Sequence, residues 1–445
     1  MSQAARTDAT TGQTSDIRKV AAASLIGTTI EWYDFFIYGT AAALVFPALF
    51  FPGSDPVTGT LLSFATFGVG FFARPVGGAV FGHFGDRIGR KSMLIVTLTM
   101  MGLATFAIGI LPTYDQIGVL APVLLTVLRF VQGLGVGGEW GGAVLMAVEH
   151  APPGRRGFFG SWPQMGVPAG LILSNTAFLL LAAMPEETFT SWGWRIPFVF
   201  SIVLVAVGLV IRLKIMESPG FAKIKAEKTE AKVPIVEVFK HHWRQVALAA
   251  GAFIIINSYF YILVSYIISY ATAPDIGFSQ GQVIGVLLVS SAITLVTIPL
   301  WGALSDRVGR RTLYLIGCLG MGFSAFTVFW AVDNGSLLGF AVTHTLALAG
   351  FLAMGYGPMA SLYAELFSTR LRYSGASLGY QGGAIFGGAF GPIIAVYLFD
   401  TTGTSTSISL YVLAMAILSF VCMYLLTDTR TVDIHADTPL EARSA

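Results

Sequence analysis

Charge is scarce in this chain. Asp, Glu, Lys and Arg make up 11% of its 445 residues, where a soluble globular protein carries about a quarter. Too few charges are present to coat a water-facing surface, which excludes a soluble domain of this size. Cysteine is nearly missing as well: Cys318 and Cys422 both sit in apolar stretches, where a thiol behaves as a small hydrophobe. Two such residues furnish neither a disulfide framework nor a zinc site. The 26 basic and 24 acidic residues leave a net charge of +2, and the basic ones come in short clusters rather than one stripe, which argues against nucleic acid as a partner. Residues 1–19 are polar and lack the charged-then-apolar layout of a cleaved signal peptide, so the first apolar stretch is expected to span. A cofactor fingerprint is also wanting. Gly133-Leu-Gly135-Val-Gly137-Gly138 has dinucleotide-binding spacing, but no strand precedes it, and in an apolar helix such a glycine row reads as a close-packing face.

Apolar residues are abundant instead. At 55% of the chain they suffice for about twelve spans of about 20 residues. Apolar runs between Gly, Pro and charge clusters predict helices near 20–50, 60–83, 92–111, 119–147, 158–184 and 194–213, then 245–271, 281–303, 312–332, 337–361, 374–399 and 406–427. The expected fold is thus an all-α membrane protein of two six-helix bundles, 20–213 and 245–427. A hydrophilic link, 214–244, joins them, and the tails are 1–19 and 428–445. Lys and Arg fall on one side, at Arg18, Arg87, Lys91, Arg155, Arg310, Arg372 and throughout the link, whereas the other side has only Arg195. Excess positive charge marks cytoplasmic loops, so both tails and the link are expected in the cytoplasm.

The halves repeat. Gly82-His-Phe-Gly-Asp86-Arg87-Ile-Gly-Arg90-Lys91 follows the second helix, and Gly302-Ala-Leu-Ser-Asp306-Arg307-Val-Gly-Arg310-Arg311 follows the eighth. Glu149 with Arg156 is matched by Glu365 with Arg372 at nearly the same offset. Repeats of this kind, with a site at their interface, are what secondary transporters are built from.

On these doubled motifs the whole chain resembles the major facilitator superfamily. More narrowly, Glu31-Trp32-Tyr33-Asp34-Phe35, Arg74-Pro75-Val76-Gly77-Gly78, Arg129-Phe-Val-Gln132-Gly133 and Gly138-Glu139-Trp140-Gly141-Gly142 are similar to the metabolite:proton symporter family. Ser191-Trp192-Gly193-Trp194-Arg195-Ile196-Pro197-Phe198 adds a resemblance to its shikimate branch. The resemblance implies carriage of shikimate, dicarboxylates, citrate, proline or betaine together with protons. Glu31 departs from the Asp expected in shikimate carriers, and the tail after Thr427 is too short for the coiled coil of osmosensing proline and betaine carriers.

An ionisable side chain inside a span is costly unless paired, and is a functional candidate. Glu31, Asp34, Arg74, Arg129 and Glu139 qualify. At about 1.5 Å per residue, Glu31, Asp34 and Arg129 fall near the bilayer midplane. Glu31 and Asp34 share a helix face with Tyr38, and Arg129 shares one with Gln132. The resemblance sets these faces across a central cavity. A desolvated carboxylate, Asp34 or Glu31, would then take the proton, and Arg129 would grip an anionic substrate bidentately. The competing reading is a permanent structural ion pair. Arg74 suits a gate or a substrate contact, and Glu139 an inner gate. By resemblance, Gly82, Asp86, Arg87, Arg90, Asp306, Arg307 and Arg310, with Glu149, Arg156, Glu365 and Arg372, would latch the halves together on the cytoplasmic side.

The second half lacks a midplane charge and offers Asn257, Ser258, Tyr261, His344, Tyr356, Tyr380 and Gln381. Asn257, Tyr261, Tyr356 and Gln381 are the expected substrate contacts and His344 an expected structural residue. Such a wall suits a hydroxylated or partly apolar organic substrate. The sequence thus predicts a proton-coupled importer of a small organic acid, its partners the acid, the proton and the bilayer, with no cofactor, metal or obligate protein partner. The alternatives are a proline or betaine carrier, an exporter and a membrane sensor. An enzyme is disfavoured, because no nucleophile shares a helix face with a base.

Overall fold

A computed structural model describes residues 3–54, 56–152, 154–181, 184–214, 234–368 and 371–426. Among them every regular element is helical. The long ones are α1 (Gln3–Leu44), α2 (Pro56–Ile88), α3 (Arg90–Gly109), α4 (Leu120–His150), α5 (Arg156–Leu181), α6 (Ile196–Lys214), α7 (Trp243–Ala271), α8 (Gln280–Val308), α9 (Arg310–Asp333), α10 (Leu337–Glu365), α11 (Arg372–Thr402) and α12 (Ser405–Leu425). Among the described residues, eleven helices, α2 to α12, are long and apolar enough to cross a bilayer. α1 is not among them, because Glu31, Trp32, Tyr33 and Asp34 interrupt its apolar run. Outward faces are apolar even where fully open, as at Leu180 and Leu338, 71% and 76% exposed, which is stable against lipid and not against water.

The repeated motifs, expected as loops, are helical instead. α2 continues to Ile88 and α8 to Val308. Only Gly89 and Gly309 break the helix, at φ 128° and 111°, a region that a side-chain-bearing residue rarely adopts. Each glycine lets the next helix start at once, with Arg90 or Arg310 as its first residue. Of the expected link, residues 215–233 lie outside the described residues, as does the tail 428–445. A short helix, Pro234–His241, ends the link and buries Val238 beside Leu371 and Leu378.

Small residues set the closest helix contacts. α2 and α4 approach so tightly that a Cβ at Gly137 would collide with the Arg74 carbonyl, and one at Gly133 with the Gly70 carbonyl. The glycine row of α4 is therefore a packing surface. Between the halves, α5 packs on α8 and α2 on α11, the former through Gly157 and Gly302.

Three helices of the second half carry a π-helical turn: α7 at Ile262–Tyr266, α10 at Leu346–Leu352 and α11 at Ile385–Ala389. A π turn loosens the ordinary carbonyl ladder, and side chains of neighbouring helices take up the carbonyls here. His344 Nε2 donates to the Leu263 carbonyl at 3.0 Å, which leaves Nδ1 to accept from the Ser290 hydroxyl at 2.8 Å. Both ring nitrogens are thereby committed. The Ala349 carbonyl accepts from Thr297 Oγ1 at 2.7 Å and Trp301 Nε1 at 3.2 Å.

Candidate functional site

Two buried guanidinium groups lie side by side among aromatic rings. Arg74 of α2 has its Cζ 4.3 Å from the Phe35 ring centroid, 4.4 Å from Phe71 and 5.5 Å from Trp32. Arg129 of α4 has its Cζ 4.3 Å from Phe35, 4.3 Å from Tyr38 and 4.7 Å from Phe67. Gly70 makes room for the second group, since a Cβ there would come within 2.7 Å of Arg129 Nε. The π faces supply part of the lost hydration, but not hydrogen bonds. Arg129 Nη1 donates to Gln132 Oε1 at 3.1 Å, whereas Nε and Nη2 of both arginines are buried without a partner. Gln132 passes the contact on, Nε2 donating to Thr105 Oγ1 at 2.7 Å, and the Tyr38 hydroxyl lies 2.6 Å from Thr66 Oγ1.

The acids of α1 are close by, and three of their four carboxylate oxygens are buried without a hydrogen-bond partner. Asp34 is fully buried, and neither of its carboxylate oxygens has a hydrogen-bond partner. Its neighbour Thr105 already donates to the Met101 carbonyl at 2.9 Å while accepting from Gln132, so it has no proton to offer. Glu31 Oε2 is likewise buried without a partner, within the fields of Arg74 and Arg212. The expected pairing of the α1 carboxylates with Arg129 is thus absent from this conformation, because the Arg129 guanidinium is taken up by rings and by Gln132.

Arg212, near the end of α6, is buried. It bonds Glu139 Oε1 and the Leu94 carbonyl, filling a notch in α1 where a Cβ on Gly27 would lie 2.5 Å from its Nη2. Glu139, expected at an inner gate, therefore pairs within the first half, and its Oε2 has no partner.

A cavity is lined by Trp32 together with residues of α5, α7, α8, α10 and α11. Asn257 and Tyr356 line it, together with Tyr380, Ser291 and Thr294. Tyr380 is stacked between Trp140 at 3.7 Å and Phe253 at 4.0 Å. Tyr261 stands apart from the cavity, edge-on to Phe35, Phe67 and Phe71, joining the arginine cluster to α7. Gln381 does not reach the cavity wall. Its amide donates across the halves to the Val136 and Gly137 carbonyls at 3.4 and 3.3 Å, which ties α11 to α4. Ser291 was not singled out, being one of many serines in apolar sequence.

At the basic end of the bundle the halves are joined by polar contacts. Asp306 of α8 accepts from the Gly157 and Phe158 amides at 2.8 and 3.0 Å, capping the N-terminus of α5 across the interface, where free N–H groups and the helix dipole favour a carboxylate. Arg310 bonds Asp306 at 3.0 Å and Glu365 at 3.1 Å, and Arg156 lies 4.0 Å from Glu365. Arg372 Nη1 donates to Glu149 Oε1 at 2.9 Å. Gly82 packs on Ser374, while Arg87 is exposed beside His83. The side chains of Asp86 and Arg90 lie outside the described residues, and Arg307 is exposed.

A family model described as Major Facilitator Superfamily matches residues 24–380 and 275–444. The chain is 44% identical over 421 residues to the inner membrane metabolite transport protein YhjE of Escherichia coli (strain K12), covering 93% of this chain and 94% of that relative. It is 40% identical to the shikimate transporter of the same organism, covering 96% and 98%. Identity to the proline/betaine transporter of Escherichia coli (strain K12) is 32%, covering 95% and 86%. In fold, it is similar to the proton:xylose symporter XylE bound to 6-bromo-6-deoxy-D-glucose, with a TM-score of 0.76 at 17% identity, covering 97% and 99% of the two chains.

Proposed function

The chain belongs to the major facilitator superfamily and is a metabolite transporter rather than an enzyme, and on that premise we propose that it is a proton-coupled symporter importing a small organic acid, shikimate or a related carboxylate, by alternating access. The observation that carries this reading is the unsatisfied pair of guanidinium groups: Nε and Nη2 of Arg74 and Arg129 are buried without a partner. Unpaired buried donors on a fixed cation are expensive, and a carboxylate is the ligand that relieves them, bidentately and with directional bonds. The 40% identity to a shikimate transporter supports the same class of substrate.

In this reading α1 is the twelfth span, 20–213 and 245–427 are two six-helix bundles in an inner membrane, and the basic end, both tails and the link face the cytoplasm. Arg129, Gln132, Tyr38 and Tyr261 hold the carboxylate, with Arg74 beside them, and Asn257 and Tyr356 face the rest of the molecule. Asp34, assisted by Glu31, carries the proton. Loading one carboxylate with one proton leaves the net charge of the buried centre unchanged, so the loaded carrier can rearrange without dragging a new charge through a low-dielectric core. Asp306, Arg310, Glu149, Arg156, Glu365 and Arg372, with Gly82, Asp86, Arg87, Arg90 and Arg307 of the matched motifs, form the cytoplasmic latch that opens to release cargo.

The test is uptake of labelled shikimate by the full-length protein in proteoliposomes under an imposed inward proton gradient, with protocatechuate, citrate, 2-oxoglutarate, proline and betaine as competitors. Gradient-dependent accumulation displaced by carboxylates is expected. Accumulation displaced by betaine or proline alone would replace this reading with the osmolyte carrier that the 32% identity to a proline/betaine transporter supports.

A further inference from the structure

The cavity beside Trp32 is too apolar for a substrate covered in hydroxyl groups. Leu171, Phe253, Ile256, Phe260, Leu348 and Leu352 make up much of its wall. Most of its hydroxyls are already engaged. Thr294 donates to the Ser290 carbonyl at 2.7 Å, and the Tyr356 and Tyr380 hydroxyls lie 3.3 Å apart, each facing the other. What remains is the Asn257 amide on α7 and the Ser291 hydroxyl on α8. Ser291 is 1% exposed, and its Oγ has no partner. A buried hydroxyl on a cavity wall with nothing to bond is a place for a ligand atom.

Trp32 closes the cavity toward the arginine cluster, since it lines the one and lies 5.5 Å from the Arg74 guanidinium carbon. A ring acid seated in the cavity reaches the free guanidinium donors of Arg74 and Arg129 with its carboxylate once the Trp32 side chain turns aside. Resting on the acid-carrier reading above, we infer that the substrate is a flat monocarboxylic ring acid with an apolar body and one hydrogen-bonding substituent opposite the carboxylate, received by Ser291 and Asn257. A triol such as shikimate spreads three hydroxyls around its ring, more than one amide on α7 and one hydroxyl on α8 can reach together, and leaves at least one against hydrocarbon. A tricarboxylate such as citrate brings two surplus charges. Both are penalised by the same rule: a polar group that loses water needs a partner.

The test is direct binding to the purified full-length transporter by titration calorimetry, using benzoate, 4-hydroxybenzoate, shikimate, citrate and betaine. 4-Hydroxybenzoate is expected to bind tightest, ahead of benzoate and at least about tenfold ahead of shikimate, one unpaired buried hydroxyl being enough for that factor. Ser291→Ala is expected to weaken 4-hydroxybenzoate by roughly 2- to 13-fold, the range for one neutral hydrogen bond, and to leave benzoate alone. Equal or tighter binding of shikimate or citrate by the wild-type protein would overturn this assignment and leave the acid carrier standing. Binding of betaine alone would overturn both. Equal weakening of benzoate and 4-hydroxybenzoate by Ser291→Ala would remove Ser291 from the site, and the wild-type ranking decides the substrate class even if that variant fails to fold.

Discussion

Arg74 and Arg129 hold their guanidinium carbons at the same distance, 4.3 Å, from one ring, that of Phe35. Phe35 thus lies in contact with two like charges that would otherwise repel through a medium of low dielectric. It follows two residues after Tyr33 and directly after Asp34 on α1, so any rotation of α1 that moves the acid also moves the ring the arginines rest on.

The anion site makes the first prediction. Arg129→Lys keeps the charge and loses the planar fork that matches a carboxylate. Carboxylate affinity is expected to fall by roughly 10- to 150-fold, the equivalent of one charge-assisted hydrogen bond. Titration of the purified variant checks this, and unchanged affinity would remove Arg129 from the site.

Asp34→Asn separates exchange from accumulation. The amide keeps the shape and cannot cycle a proton, so preloaded proteoliposomes should still exchange substrate while an imposed proton gradient no longer drives uptake. Full gradient-driven accumulation by this variant would end the role given to Asp34.

Arg372→Gln tests the latch. Removing one partner from a buried ion pair costs about 3–5 kcal/mol, here charged to the conformation in which Glu149 and Arg372 meet. A Ser377→Cys reporter, fully buried at the α4–α11 contact, should label with maleimide several times faster in the Arg372→Gln background. Equal labelling rates would reject the latch.

Gly27→Ala adds one carbon where Arg212 Nη2 stands, 2.5 Å away. The guanidinium is the far end of a flexible side chain, so the fold should survive while the contact with Glu139 loosens. Reduced gradient-driven uptake with near-normal exchange is the expected result. A matching loss in both assays would make the Arg212–Glu139 pair purely structural.

Much of the helical plan was legible because lipid leaves the backbone few options: spans must be helical, apolar and about 20 residues long. The spacing set each acid beside the arginine of its own half, Glu149 with Arg156 and Glu365 with Arg372, whereas Glu149 meets Arg372 and Arg156 faces Glu365 across the halves. Arg212 was not legible, because an arginine at the end of an apolar run looks the same whether it reaches the headgroups or turns inward. Asp306 caps α5, a helix distant in sequence, and no local pattern records that. On an uninterrupted helix Ser258, Tyr261 and Ser265 would share one stripe; the π turn at Ile262–Tyr266 ends that register before Ser265. Asn257 and Tyr261, both before the turn, still part company, one on the cavity and the other among the rings.

That turn gives α7 a tolerance to chain length confined to one place. A π turn winds one surplus residue into a single turn of the helix, so the segments on its two sides keep their rotational setting. Deleting a single residue from Ile262–Tyr266 would let α7 close into an uninterrupted α-helix with Ile267 to Ala271 still facing their present neighbours, and Tyr270 would keep its bond to Asp333. The Leu263 carbonyl would be reclaimed by its own helix and release His344. The same deletion in the regular part of α7, between Trp243 and Tyr261, would instead turn the whole outer end by about 100°.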